Sequence, residues 1–134
     1  MKTFHLEIVT PDGTAFDGEA QSLLIRTDMG DVEIMAAHAD FVGAVAIGRA
    51  RIRYEDGSER FASASGGFIT VNRDGVKLVA TTFEFADEID LNRAKAAAER
   101  AKSAIESAND DRDVRIARAK LSRATNRINV ASLK

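Results

Sequence analysis

The sequence predicts two domains, an N-terminal all-β sandwich over residues 1–85 and a C-terminal antiparallel hairpin of two helices over residues 86–134. Three observations predict this fold class. In the first part, short runs alternate apolar and polar side chains, which is the period of a strand. Turn sequences interrupt these runs roughly every ten residues, as in β-sandwiches. In the second part, aliphatic residues recur every three or four positions, which is the period of a helix.

The predicted strands follow from alternation and from turn chemistry. Five of them cover residues 4–9, 23–27, 32–35, 42–47 and 50–54. Two Asp-Gly pairs, at 56–57 and 74–75, are typical of tight hairpin turns. The first connects residues 51–54 to 60–62, and the second connects residues 68–71 to 76–80. We expect the sheet to end near residues 80–84.

The helical part consists of two apolar series in steps of three and four, which is a heptad seam. They are Leu91, Ala94, Ala98, Ala101, Ile105 and Ala108, then Val114, Ala117, Leu121, Ala124, Ile128 and Ala131. Asn109, Asp110 and Asp111 lie between them and supply turn and N-cap chemistry, so the two helices form a hairpin. At about 0.8 kcal/mol per buried methylene, an alanine-rich seam stabilises that pairing only modestly. We therefore expect helices that persist while their packing is reversible.

Composition excludes several classes of protein. There is no cysteine, which rules out disulfides, thiolate metal sites and cysteine nucleophiles. No apolar run approaches the roughly 18 residues that a membrane span needs, and the N-terminus has no signal or transit pattern. We expect a cytoplasmic protein that reaches a membrane only through partners.

Few residues suggest catalysis. His5 and His38 are the only histidines, and neither has a second ligand or a paired carboxylate at a suitable spacing. Gly66-Gly67 could cradle a phosphate, but no lysine and no helix follow. A bulge or a close backbone approach is the better interpretation of the two glycines. We expect no catalytic residues, no metal site and no required cofactor.

Charge is distributed unevenly along the chain. Residues 1–110 hold 12 Lys/Arg and 19 Asp/Glu, whereas residues 111–134 hold seven Lys/Arg and two Asp/Glu. The balance is therefore −7 in the first part and +5 in the last. A basic terminal helix indicates an acidic partner. Since it lacks aromatic residues to stack on bases, an acidic protein surface fits better than nucleic acid.

The joint at residues 88–94 has two interpretations. In the first, Asp87 or Asp90 is an ordinary helix N-cap. In the second, the spacing of arginines on each helix brings four guanidinium groups together around one anion, for which polyphosphate is suited. The four are Arg93, Arg100, Arg123 and Arg127. Glu84 and Asp90 would then contact the amino group or ribose of a nucleotide.

Six segments of the chain follow a known family pattern: residues 4–13 (FHLEIVTPDG), 16–19 (FDGE), 27–31 (TDMGD), His38, 66–68 (GGF) and 88–94 (EIDLNRA). In this order they resemble the epsilon subunit of bacterial F-type ATP synthases, and the resemblance runs along the whole chain. It implies a rotor subunit of the central stalk that performs no bond chemistry, couples proton flow to ATP synthesis and restrains ATP hydrolysis. Implied partners are the gamma subunit, the ring of c subunits, and the catalytic beta and the alpha subunits. The implied location is peripheral, on the cytoplasmic face of the bacterial plasma membrane.

The resemblance also implies site residues. A regulatory ATP bound to the closed hairpin would contact Glu84, Ile89, Asp90, Arg93, Ala94, Arg100, Arg123 and Arg127. Inhibition would use contacts with the beta subunits from Arg112, Arg115, Arg118, Lys120 and Arg123. Two other classes stay open from the residues alone: a free-standing β-sandwich binding module with a helical interaction tail, and a nucleotide-hydrolysing enzyme.

Overall fold

The computed structural model describes residues 2–133, and it confirms a β domain followed by a helical hairpin. The strands are β1 (Phe4–Thr10), β2 (Gly13–Ala20), β3 (Ser22–Thr27), β4 (Gly30–Met35), β5 (Phe41–Ala44), β6 (Gly48–Arg53), β7 (Glu59–Asn72) and β8 (Gly75–Phe85). A short 3-10 helix (Ala86–Glu88) leads to α1 (Leu91–Ser107) and α2 (Asp111–Ala131). Neither α1 nor α2 contains a stretch long and apolar enough to span a bilayer.

The strands form a β-sandwich around one hydrophobic core. Their order is β2-β1-β8-β7-β6-β3-β4, and β5 pairs with the second half of β7. The pairs are antiparallel except for β1 with β8. The large side chains with no solvent exposure in this core are Leu6, Ile8, Leu23, Ile25, Ile34, Ile52, Ile69 and Leu78. They come from strands across the whole sheet, so the core depends on long-range pairing.

Strand β7 corrects one sequence prediction. The runs at residues 60–62 and 68–71 are halves of a single strand of 14 residues. Gly66 and Gly67, with φ of 70° and 93°, lie between them. Before the glycines the even-numbered Ala62 and Ala64 pack in the core, whereas after them the odd-numbered Ile69 and Val71 do so. Because the inward-facing parity changes, the two halves read as separate strands in the sequence.

The glycine pair marks a close backbone approach. The register between β7 and β8 is the same on both sides, with Ser65 opposite Thr82 and Gly67 opposite Ala80, so no residue is inserted as a bulge. A Cβ atom on Gly67 would overlap the carbonyl oxygen of Val79 on β8. This confirms the expected close approach and excludes the expected alternative of a bulge.

Strand β2 was not predicted from the sequence. It lies at the end of the sheet and pairs only with β1. Ala20 is its one buried residue. Phe16, Gly18 and Ala20 alternate with the exposed Asp17 and Glu19. The sequence signal is nevertheless weak, because Phe16 is the one large apolar residue of the strand and glycine, aspartate and glutamate are uncommon in strands.

Both hairpin turns that Asp-Gly pairs predict are present. In the β6–β7 turn, the Ser58 hydroxyl and backbone N–H donate to Asp56 Oδ1 at 2.6 and 2.9 Å. These hydrogen bonds stabilise the carboxylate and lower the pKa of Asp56. The β7–β8 turn lies between Asn72 and Gly75.

The helices pack through the predicted alanine seam. The buried seam residues are Ala94, Ala98 and Ala101 on α1, and Ala117, Ala124 and Ala131 on α2. Each helix begins with an aspartate cap, since Asp90 Oδ1 accepts from Arg93 N at 3.0 Å and Asp110 Oδ1 accepts from Asp113 N at 2.8 Å. Small seam residues bring the helices together but bury few methyl groups.

The glycine pair gives a stability prediction. Gly67→Ala combines left-handed backbone with overlap against β8, and we expect it to lower the free energy of unfolding by about 2–4 kcal/mol. Gly57→Ala is the matched control, because its φ is 87° with open space at the Cβ position, and about 1 kcal/mol is expected. Urea unfolding of both variants checks this. Equal losses would show that the close approach adds nothing.

Candidate functional site

A cavity of about 470 Å³ lies where the sandwich meets the hairpin. Its walls come from the β1–β2 turn, the end of β8, the joint, the first turns of α1, and α2. The lining residues are Thr10, Asp12, Thr81, Thr82, Phe83, Glu84, Glu88, Ile89, Asp90, Arg93, Ala94, Ala97, Arg100 and Arg127. This volume lies within the range of small-molecule binding sites.

Local interactions of the joint hold one wall of the cavity. Glu88 Oε1 accepts from Phe85 N at 3.1 Å, so the short 3-10 turn is closed by its own side chain. Asp90 then caps α1 and sets the direction in which the helix leaves. Between them Ile89 is buried against Val130 near the end of α2. The joint therefore contacts both the sheet and the second helix.

The first helix lines the cavity with two arginines and two alanines. Arg93, Ala97 and Arg100 are spaced by four and three residues, which places them on one side of α1. Ala94 and Ala97 leave room because their side chains are single methyl groups. The Arg93 and Arg100 side chains are exposed, and within residues 2–133 neither forms a salt bridge.

Arg127 differs from the two arginines of α1. It is the only lining residue that α2 contributes, and its Nε donates to Glu84 Oε1 at 2.6 Å. Glu84 lies on β8, so this ion pair connects the second helix directly to the sheet. The Arg127 side chain is only 28% exposed, which makes the pair stronger than a fully solvated one.

The cavity combines groups suited to a polar ligand with several phosphates. Guanidinium groups bind phosphate oxygens through two parallel hydrogen bonds. The carboxylates of Asp12, Glu84, Glu88 and Asp90 accept hydrogen bonds from amino or hydroxyl groups. Positive groups on α1 and α2 and negative groups on the sheet and the joint therefore face the same space.

The structure brings together seven of the eight residues expected at an ATP site. They are Glu84, Ile89, Asp90, Arg93, Ala94, Arg100 and Arg127. Arg123 lies one helical turn before Arg127 on α2 and is not part of the lining, so its contact with a ligand stays a prediction. Asp90 also confirms the capping interpretation, whereas Asp87 pairs with Arg60 at 3.0 Å instead.

The basic residues expected to contact another subunit lie along α2. Arg112, Arg115, Arg118 and Lys120 are exposed, and Arg123 is half-buried. Their contact with an acidic surface stays a prediction.

Sequence reasoning missed part of the lining. Ala97 follows Arg93 by one helical turn, and that spacing could have revealed it. Thr10 and Asp12 gave no such signal, because they reach the cavity only through the parallel pairing of β1 with β8. The histidines lie elsewhere: His5 Nε2 is 3.0 Å from Asp17 Oδ1, and His38 Nδ1 is 2.8 Å from the carbonyl oxygen of Ala39.

Comparison with known proteins agrees with both parts of the fold. Residues 3–86 match the β-sandwich domain of the ATP synthase delta/epsilon chain, and residues 87–132 match its long α-helix domain. The ATP synthase epsilon chain of Bacillus velezensis is 40% identical over 131 residues, covering 98% of both chains. That of Staphylococcus aureus is 38% identical over 135 residues, covering both chains completely. The chain belongs to the ATP synthase delta/epsilon chain family, as an epsilon chain.

Solved structures show the same architecture. A chain in the mitochondrial ATP synthase of Euglena gracilis, solved as an OSCP/F1/c-ring assembly, superposes with a TM-score of 0.82 at 25% identity, covering 98% of this chain and 82% of that one. A chain in the central stalk and c-ring of the Tetrahymena thermophila mitochondrial ATP synthase gives a TM-score of 0.67 at 13% identity over 97% of both chains. The second likeness concerns the fold alone.

The two aspartate caps give a prediction for stability. Asp90→Ala and Asp110→Ala each remove one hydrogen bond to a backbone N–H of the first turn. We expect each variant to lose about 1 kcal/mol of helix stability. Thermal unfolding followed by circular dichroism at 222 nm measures both. A loss at one cap only would contradict their equivalent roles.

Proposed function

We propose that this chain is a non-catalytic subunit in the central stalk of a bacterial F-type ATP synthase, where it helps couple proton translocation to ATP synthesis. Its sandwich docks on the gamma subunit and the ring of c subunits, and its helices restrain ATP hydrolysis by the alpha and beta subunits. Membership of the epsilon chain family supports this role. So does the likeness to a chain within the F1/c-ring assembly of Euglena. Its place is peripheral, on the cytoplasmic face of the plasma membrane.

The regulatory part of the proposal is that ATP binds the closed hairpin. The observation that carries it is the convergence of Arg93, Arg100 and Arg127 on one cavity that also holds the Glu84 and Asp90 carboxylates. We assign the arginines to the phosphate groups. The carboxylates accept hydrogen bonds from the amino group or the ribose.

The cavity is lined by residues from three structural elements, and this explains how a ligand would act. Arg93 and Arg100 belong to α1, Arg127 to α2, and Glu84 to the sheet. A ligand that contacts all three elements binds only while they are together. It therefore stabilises the closed arrangement by its own binding free energy.

The magnitudes agree with a reversible switch. ATP at a hundred times its dissociation constant stabilises the closed form by about 2.7 kcal/mol. The interface that holds the closed form together without ligand consists of alanine contacts, a small apolar cluster and a few polar contacts, which are small terms of similar size. Ligand binding can thus change the proportion of closed molecules strongly.

Opening would release α2 for another partner. Its exposed basic residues are directed to solvent in the closed form. When the pairing with α1 is lost, the whole helix can extend along an acidic surface of the catalytic beta subunits, attracted by complementary charge.

Calorimetric titration of the isolated chain with ATP tests the ligand. We expect binding to the wild type, and a loss of affinity of at least tenfold in Arg93→Ala and in Asp90→Ala, since charge-assisted contacts are worth about 1.5–3 kcal/mol. Asp110→Ala is the matched control, because it removes an equivalent cap outside the cavity and is expected to retain wild-type affinity.

Four outcomes would contradict the proposed function. Unchanged affinity in both cavity variants would leave Asp90 only its capping role. An equal loss in Asp110→Ala would assign the effect to hairpin stability. Release of phosphate by the pure chain would indicate an enzyme in its own right, and failure to bind a gamma subunit would favour a free-standing binding module.

Replacing Arg112, Arg115 and Arg118 together by alanine tests the inhibitory surface. These residues are exposed and lie outside the cavity, so ATP affinity is expected to stay unchanged. In the assembled enzyme we expect hydrolysis to rise severalfold, because attraction to the acidic surface is lost. A double variant, Lys95→Ala with Lys102→Ala on α1, is the control. Unchanged hydrolysis in the triple variant would remove the acidic-surface model.

A further inference from the structure

Asn126 connects α2 to the sandwich away from the ligand cavity. Its Nδ2 donates two hydrogen bonds, to the carbonyl oxygen of Gly48 at 2.9 Å and to Ser63 Oγ at 2.8 Å. Gly48 begins β6, and Ser63 is a buried residue of β7. One side-chain nitrogen therefore contacts two adjacent strands.

The next residue of α2 contacts the cross-strand partner of Ser63. Arg127 pairs with Glu84, and Glu84 lies directly opposite Ser63 in the pairing of β7 with β8. Consecutive residues of the helix thus bind the two members of one cross-strand pair. Both contacts break when α2 leaves the sandwich.

The two contacts lie on different sides of the helix. Arg127 lines the cavity of about 470 Å³, where an anion would compete with Glu84 for its guanidinium group. Asn126 is absent from that lining and instead borders two grooves of about 410 and 540 Å³. A ligand in the cavity therefore has no direct access to the hydrogen bonds of Asn126.

We propose that Asn126 is a latch that holds α2 on the sandwich independently of the ligand, while Arg127 exchanges Glu84 for a bound anion. Asparagine suits this task because its amide nitrogen carries two N–H donors, which satisfy the Gly48 carbonyl and the Ser63 hydroxyl together. Both acceptors are neutral, so water can replace the latch at modest cost and the contact stays reversible. The exchange of Glu84 for an anion rests on the ligand proposed above, whereas the latch itself does not.

A buried cysteine reports how often α2 leaves the sandwich. The chain has no cysteine, so Val130→Cys introduces a single thiol at a position that is 1% exposed against the joint. Its rate of reaction with a thiol reagent follows the fraction of undocked molecules. In the full chain, we expect Asn126→Ala and Asn126→Asp to raise that rate on the order of tenfold, because both remove the two donors.

Two controls separate undocking from general damage. Asn129→Ala alters another asparagine of α2 that forms no side-chain hydrogen bond within residues 2–133, and it is expected to keep the wild-type rate. A second reporter, Ala20→Cys in the sandwich core, is expected to stay protected in every variant. Labelling at wild-type rates in both Asn126 variants would overturn the latch, as would equal acceleration at the Ala20 reporter.

Adding ATP distinguishes the latch from the proposed ligand. We expect ATP to slow labelling of Val130→Cys by a similar factor with and without the latch, since the cavity residues remain intact. If ATP changes no rate while the Asn126 variants still accelerate labelling, the latch stands and the ATP site fails. If ATP slows labelling only where Asn126 is present, the two contacts are not independent and the proposal is overturned.

Discussion

The long antiparallel pairing of β7 with β8 is the interaction on which the rest of the structure depends. Its 14-residue strand packs in the core with one parity before Gly66 and the other after Gly67, so one ribbon serves two parts of the sandwich. The end of β8 continues through the short 3-10 helix into the joint. The cross-strand pair of Ser63 and Glu84 then accepts hydrogen bonds from the second helix. Core, joint and docking surface therefore share one element.

The contrast in packing between the two domains supports the different roles proposed for them. Large aliphatic side chains with no exposure fill the sandwich, and their removal from water stabilises it strongly. The helical domain has alanine at its buried seam and is attached to the sandwich by a small apolar cluster, by the ion pairs Arg127–Glu84 and Asp87–Arg60, and by Asn126. Such an interface favours the proposed opening, in which the helices would separate while the sandwich remains folded.

Much of this structure could be predicted because local rules and tertiary packing agree. The heptad alanines, the caps at Asp90 and Asp110, and the Asp-Gly turns all appear where the pattern places them. Prediction failed where a structural feature had no clear signal in the neighbouring sequence. Strand β2 lies at the sheet edge and alternates with only one large apolar residue, Phe16, and β7 changes its inward parity at Gly66. Thr10 and Asp12 reach the cavity through a parallel pairing that no short segment encodes.

The sequence by itself determined the division into a β and a helical domain, the alanine seam between the helices and seven of the residues that line the candidate cavity. These follow from period, side-chain size and charge, which are local properties of the chain. Only the tertiary structure decided that Arg127 faces the cavity while Arg123 does not, and that Asn126 contacts Gly48 and Ser63. The reason is geometric: these contacts join residues 43 to 78 positions apart, and their formation depends on how the whole hairpin docks on the sheet.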